Sequence, residues 1–219
     1  MRVLPVAALV LALGAGAAHA APARPVSPAE QYLEDQLAHR AAPEVPSGFR
    51  VRRLTDAGFA VAFPAGWQVL QRRDAVWPGA AQTLVRFDRA LAPYLAALVV
   101  PDSPLALVGF DRRLPAATAT VLVSRGPAGA GWARGALRTV RELPGVRGVV
   151  QRRLRLPAGA ALLVRYLRGR LATSQLFVAR DSRILTLTLT APPAAAPRYA
   201  ATFLAVARSL DLSVPILHP

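Results

Sequence analysis

Acid–base or metal chemistry in this chain would have to come from three histidines and twelve carboxylates, since cysteine is absent. The histidines are His19, His39 and His218, one near each end and one in a proline-rich stretch. None falls where the periodic hydrophobic segments lie. A Ser-His-Asp triad or a histidine metal cluster is therefore not expected. Asp88 and Asp111 flank segments that read as strands and would come close if those strands paired. A carboxylate pair can do acid–base work. Arg89, Arg112 and Arg113 stand beside them, and exposed acids next to arginines usually form surface ion pairs. Asp102 and Asp111 are not spaced as a metal-binding loop. The expectation is no catalytic residue, no metal and no cofactor.

Two further patterns invite a test. Gly126-Pro127-Ala128-Gly129-Ala130-Gly131 follows a strand-like segment and precedes a helical one. A P-loop would end in Gly-Lys-Ser/Thr, and the chain has no lysine; a dinucleotide fingerprint would need glycine where Arg134 sits. Arginines cluster at Arg50/Arg52/Arg53, Arg134/Arg138/Arg141 and Arg152/Arg153/Arg155. In the middle set, spacings of four and three put the side chains on one helical flank. That flank could hold phosphate or carboxylate groups bidentately, so Arg134, Arg138 and Arg141 are the candidate anion-binding residues. A solvated helix face is the plainer account of the same spacing.

The charge balance extends this theme. All 27 basic residues are arginine, and the net charge is +15. Such a field favours acidic partners, namely an anionic envelope surface or an acidic protein. Arginine, alanine, glycine and proline are enriched together, a pattern that coding bias also produces. Nucleic acid is not an expected partner, because no recognition motif accompanies the charge.

The elements that would position these residues begin after the N-terminus. Met1-Arg2, an apolar run over 3–18 and Ala18-His19-Ala20 read as a signal peptide covering 1–20, cleaved near Ala20. The expected location is outside the cytoplasm: secreted, periplasmic or wall-associated. No later stretch is apolar and long enough to span a membrane. Residues 21–47 read as a Pro/Ala-rich leader with a short helix over 28–37, N-capped by Ser27. A single domain over 48–212 and a loose tail over 213–219 complete the division.

Within the domain, Gly58-Phe59-Ala60-Val61-Ala62-Phe63-Pro64-Ala65-Gly66-Trp67 is the organising stretch. Phe59, Val61 and Phe63 alternate with alanines, the period of a strand with one face on a core. Pro64 to Gly66 is turn chemistry, and Trp67 can fold back over the sheet edge. Further strands are expected over 49–54, 83–88, 105–111, 119–125, 149–156, 161–167, 174–179 and 184–190. In the last of these, Leu185, Leu187 and Leu189 alternate with threonines, which suit a face meeting solvent or a polar seam. Helices are expected over 91–100, from Trp132 to Leu143, and over 197–210. Trp132, Ala136, Val140 and Leu143 form one stripe; Tyr199, Phe203, Val206 and Leu210 form another. Short turns between consecutive strands make antiparallel pairs. The fold class expected is α+β: an α/β/α sandwich with one mostly antiparallel sheet and helices packed on it.

Several of these segments, taken together, resemble the PsbP-like superfamily, which includes small exported bacterial proteins. The resemblance rests on the Gly58–Trp67 stretch, on Leu156-Pro157-Ala158-Gly159-Ala160-Ala161, on a hairpin from Gln175 to Thr190 that ends in an apolar-threonine run, and on Tyr199 to Leu210 with Phe203 and Arg208-Ser209-Leu210. It covers about residues 50–212. It implies the sandwich fold and, since members include accessory and scaffold proteins, no particular activity. Three functions are then open: a non-enzymatic exported domain binding a partner or acidic surface at the cell envelope; a small-ligand carrier or weak hydrolase with its site between sheet and helix; and a structural subunit of an envelope complex.

Overall fold

Leu185, Leu187 and Leu189 are turned to one side of the sheet, and Thr186, Thr188 and Thr190 to the other. This division of faces runs through the whole structure, a computed structural model that describes residues 43–71, 104–125, 131–156, 158–180 and 183–215. The expected signal peptide over 1–20, the helix expected over 28–37, the strand expected over 83–88, the helix expected over 91–100, Asp88 and Asp102 lie outside the described residues.

The strands are β1 (Phe49–Leu54), β2 (Phe59–Pro64), β3 (Trp67–Gln71), β4 (Leu105–Asp111), β5 (Leu114–Arg125), β6 (Val146–Leu156), β7 (Gly159–Arg168), β8 (Leu171–Arg180) and β9 (Arg183–Ala191). Two helices accompany them, α1 (Trp132–Arg141) and α2 (Ala196–Arg208). Strands β3 to β9 form one antiparallel sheet in the order β3-β4-β5-β9-β8-β7-β6, and β1 with β2 forms a separate antiparallel hairpin.

The α/β/α sandwich expected from the sequence is not what forms. Among the described residues strands dominate, and neither sheet face carries a helical layer. On the leucine face, α2 shares the space with the β1–β2 hairpin, so half of that cover is itself β-structure. On the threonine face, α1 is a single ten-residue helix that packs near β6 and β8. The expectation failed for two reasons. The strands run longer than their best-patterned cores: β5 extends back to Leu114, and β6 to Val146. The expected edge strand over 49–54 pairs with the organising strand in its own small sheet.

The main core lies on the leucine face. Phe59, Val61 and Phe63 from β2 meet Leu107, Leu176, Leu187, Phe203 and Leu204, all buried. Trp67 folds over this cluster as its position after the turn predicts. It sits 6.1 Å from the Phe63 ring and 6.1 Å, edge-on, from Tyr199. Phe59 to Phe63 of strand β2 are all buried, and residues 209–211 run along the edge of β2 that is not paired with β1. The Ala60 N–H donates to the Asp211 carbonyl at 2.8 Å and the Asp211 N–H returns the bond at 2.9 Å. The Ala62 N–H donates to Ser209 Oγ at 2.8 Å, and Ser209 Oγ donates to the Val206 carbonyl at 2.7 Å. At the other end of the sheet order, β6 presents Arg153 and Arg155 to solvent. Charges there discourage edge-to-edge pairing with another chain.

Candidate ligand-binding site

Between α1 and the threonine face lies a cavity of about 460 Å³. Its floor is laid down by strand register. Thr118 pairs with Thr190, which pairs with Thr173, which pairs with Tyr166, so one transverse row carries three threonines and a tyrosine. The next row is Thr120, Thr188, Gln175 and Val164; the one after is Leu122, Thr186, Phe177 and Leu162. Polarity therefore falls from one end of the floor to the other. The period of two in Thr118-Ala119-Thr120 and Thr186-Leu187-Thr188-Leu189-Thr190 puts every hydroxyl on this face and every alanine or leucine on the core face.

The roof is the stripe read from the sequence. Trp132, Ala136, Val140 and Leu143 all line the cavity, with Gly135 and Thr139 beside them. Val140 is buried against Leu162, Val164, Tyr166 and Phe177, which anchors the helix over β7 and β8. Gly135 and Ala136 carry almost no side-chain volume, and the space they leave is the cavity. A Cβ added at Gly135 would meet nothing within 4 Å.

The floor's polar groups are partly satisfied by one another. Thr118 Oγ1 and Thr190 Oγ1 share a hydrogen bond at 2.6 Å. Gln175 Nε2 donates to Thr188 Oγ1 at 3.0 Å. Gln175 is 4% exposed, and its Oε1 has no hydrogen-bond partner. A buried acceptor left open is costly in water-free surroundings, about 1–3 kcal/mol. Arg168 lines the cavity as well and donates from Nε to the Pro144 carbonyl at 3.2 Å. No aspartate, glutamate or histidine is among the described lining residues. The sequence had suggested solvent or a polar seam for the threonines; Thr186, Thr188 and Thr190 line this cavity together with Thr118, Thr120 and Gln175. Gln175 was not singled out, and only its single polar, non-hydroxyl side chain amid alternating apolar residues marked it.

Arg134, Arg138 and Arg141 sit on the outer flank of α1, all exposed. Arg138 Nε lies 4.0 Å from Glu142 Oε1, one turn along, with 78% of its side chain exposed. None of the three is among the cavity's described lining residues. Other arginines serve the fold by donating to oxygen atoms: Arg112 to Gln68 Oε1 at 2.6 Å, Arg147 to the Gly169 carbonyl at 3.2 Å, and Arg183 to the Ala57 carbonyl at 3.0 Å. Asp111, half of the carboxylate pair considered above, accepts from the Tyr199 hydroxyl at 2.7 Å and from the Arg113 N–H at 2.8 Å. Both its oxygens are thereby engaged. Among the described residues no three His, Cys, Asp or Glu side chains come together, and no helix is long and apolar enough to cross a membrane.

No family model matches the sequence, and no curated protein does. Among solved structures, the chain is similar to the cyanobacterial PsbP of Synechocystis sp. PCC 6803, at 14% identity and a TM-score of 0.46, over 76% of this chain and 93% of that one. It is similar to a Bacteroides thetaiotaomicron protein at 10% identity and a TM-score of 0.41, over 75% of this chain and 48% of that one. A Pseudomonas aeruginosa protein of unknown function aligns at 17% identity and a TM-score of 0.35, over 70% and 89%. Likenesses with TM-scores this low say nothing of what the chain does.

Proposed function

We propose that this chain is an exported, non-enzymatic carrier of a small, mostly apolar ligand, held between α1 and the threonine face. The cavity of about 460 Å³ carries the reading. Its size falls in the range of ligand pockets, roughly 300–1,000 Å³, and its walls combine apolar side chains with threonines, Gln175 and Arg168. The absence of acids and histidine among the described lining residues supports binding rather than chemistry. Kinship with the PsbP-like superfamily, suggested by the order of packing motifs, is part of this proposal and agrees with a role without catalysis.

The test is titration of the full chain with a neutral apolar fluorophore such as N-phenyl-naphthylamine. Saturable one-to-one binding is expected, and Gly135→Phe, which grows into the empty space, should abolish it while the chain stays folded. Absence of saturable binding to the native chain overturns the reading.

A second reading is favoured by exposed arginines at Arg50, Arg53, Arg153 and Arg155: attachment to an anionic envelope surface. Cosedimentation with phosphatidylglycerol vesicles, released by salt, would support it; no cosedimentation at low ionic strength would sink it. Location outside the cytoplasm is checked by sequencing the N-terminus of the mature protein, where a start near Ala21 is expected.

A further inference from the structure

We infer that Arg50, Arg52 and Arg112 form a binding site for a phosphate group, in a pocket of about 110 Å³ between the β1–β2 hairpin and β3. None of the three is among the described residues lining the cavity under α1, so the inference stands without the carrier reading. Strand register brings the first two together. Arg50 pairs with Phe63 and Arg52 with Val61, and directly opposed residues of an antiparallel pair share a face. Phe63 and Val61 belong to the main core, so both arginines lie on the core-facing side of the hairpin. Arg52 is half-buried there and Arg50 is exposed. Arg53 alternates to the other face, and its charge acts on Asp211. The run of three arginines in β1 is thereby split, and two of them line the pocket.

Arg112 comes from the turn between β4 and β5. Gln68 Oε1 accepts from its Nε at 3.2 Å and its Nη2 at 2.6 Å, which fixes the guanidinium plane. Gln68 takes up two of the five N–H groups of a guanidinium and leaves the others for a second acceptor. Arg50 and Arg52 make no hydrogen bond or ion pair with another described residue. No aspartate or glutamate is among the described lining residues. A concave site lined by one sign of charge concentrates its field and draws a counter-ion. Three guanidinium groups suit a group with several oxygens and more than one negative charge. A carboxylate offers two oxygens and one charge, which a single arginine already satisfies bidentately. A phosphate monoester carries about −1.5 to −2 charges at neutral pH and three strong acceptor oxygens. The pocket's volume, roughly that of four waters in the liquid, suits a group of that size.

The experiment titrates the full chain with inorganic phosphate by calorimetry at neutral pH and constant ionic strength, and repeats it with glycerol 3-phosphate, sulfate and acetate. Saturable one-to-one binding of phosphate is expected, with sulfate competing and acetate at least tenfold weaker. Arg52→Gln and Arg112→Gln should each weaken phosphate at least tenfold, the usual value of one charge-assisted hydrogen bond. Arg112→Lys keeps the charge but loses the planar fork, and should weaken it as well. Arg141→Gln removes the same charge from the outer flank of α1 and should leave the affinity unchanged. Urea midpoints without ligand establish that each variant is folded. Glycerol 3-phosphate binding more tightly than phosphate assigns the site to an esterified phosphate. Binding no more tightly assigns it to the free ion, and either result supports the inference. No saturable phosphate binding by the native chain overturns it, as does acetate binding as tightly as phosphate. An equal loss in Arg141→Gln and Arg52→Gln would reduce the effect to net charge and overturn it too. Fluorophore binding in the cavity is untouched by any of these outcomes.

Discussion

The Tyr199 hydroxyl donates to Asp111 Oδ2 at 2.7 Å and so ties the first turn of α2 to the end of β4. The two residues are 88 positions apart in the chain. Arg198 lies 5.3 Å from the centre of the same ring. Burial, followed by the hydrogen bond to Asp111, raises the Tyr199 pKa above its ordinary 10.0, with Arg198 acting in the opposite sense.

Replacing Tyr199 by Phe should therefore cost about 1 kcal/mol at neutral pH, read as a shift in the urea midpoint. The sign with pH follows from the raised value. Tyr199's contribution is whole below pH 10.0 and is lost as pH rises through the folded-state value. The gap between native chain and Tyr199→Phe should narrow on that alkaline side. A gap independent of pH there would show that ionisation of Tyr199 is not linked to folding.

Gly109 on β4 lets two aromatic rings approach the sheet. A Cβ at this position would lie 2.9 Å from Phe63 Cδ1 and Cε1 and 3.3 Å from Trp67 Cε3. Gly109→Ala should destabilise by about 1–3 kcal/mol through overpacking, with a perturbed tryptophan emission spectrum. Unchanged thermal stability would mean that the rings give way freely.

Ser209→Ala removes the acceptor of the buried Ala62 N–H. An orphaned buried donor is expected to cost about 1–3 kcal/mol. Hydrogen exchange at Ala62 should accelerate more than at Leu187 in the main sheet. Equal acceleration at both would indicate global rather than local loosening.

Asp211 follows on the same edge and accepts at Oδ1 from the Ser213 hydroxyl at 2.5 Å and the Ser213 N–H at 2.8 Å. The Ser213 hydroxyl is the main cause of its lowered pKa; burial opposes this, and the Ser213 N–H and the charges of Arg53 and Arg180 add to it. A depressed carboxylate stabilises the fold above its ordinary value of 3.8, and that contribution is lost as pH falls through the lowered one. Asp211→Asn should be less stable than the native chain at pH 7, and the difference should shrink in acid. A constant difference down to full protonation would contradict the linkage.

Gly135→Ala should raise stability by about 1 kcal/mol, because glycine inside a helix is entropically unfavourable relative to alanine. The new methyl enters open space. A loss of stability would show that something occupies that space in the folded chain.

Local patterning already carried much of this molecule. Leucine–threonine alternation over 184–190 made a strand with two unlike faces, and β9 is that strand. The Trp132–Leu143 stripe identified the helix side that meets the sheet, and those four residues line the cavity roof. The absence of cysteine and lysine excluded several chemistries outright. These follow from the sequence alone because period and composition are properties of neighbouring residues. The number of helical layers, the Tyr199–Asp111 and Ala62–Ser209 bonds, and the space above Gln175 were decided only in three dimensions. Periodicity states which way a side chain is directed, not how far away the opposing surface stands. A cavity is the shortfall in volume between elements distant in the chain, here small residues on α1 above short side chains on β5 and β9, and it exists only once packing has set their separation.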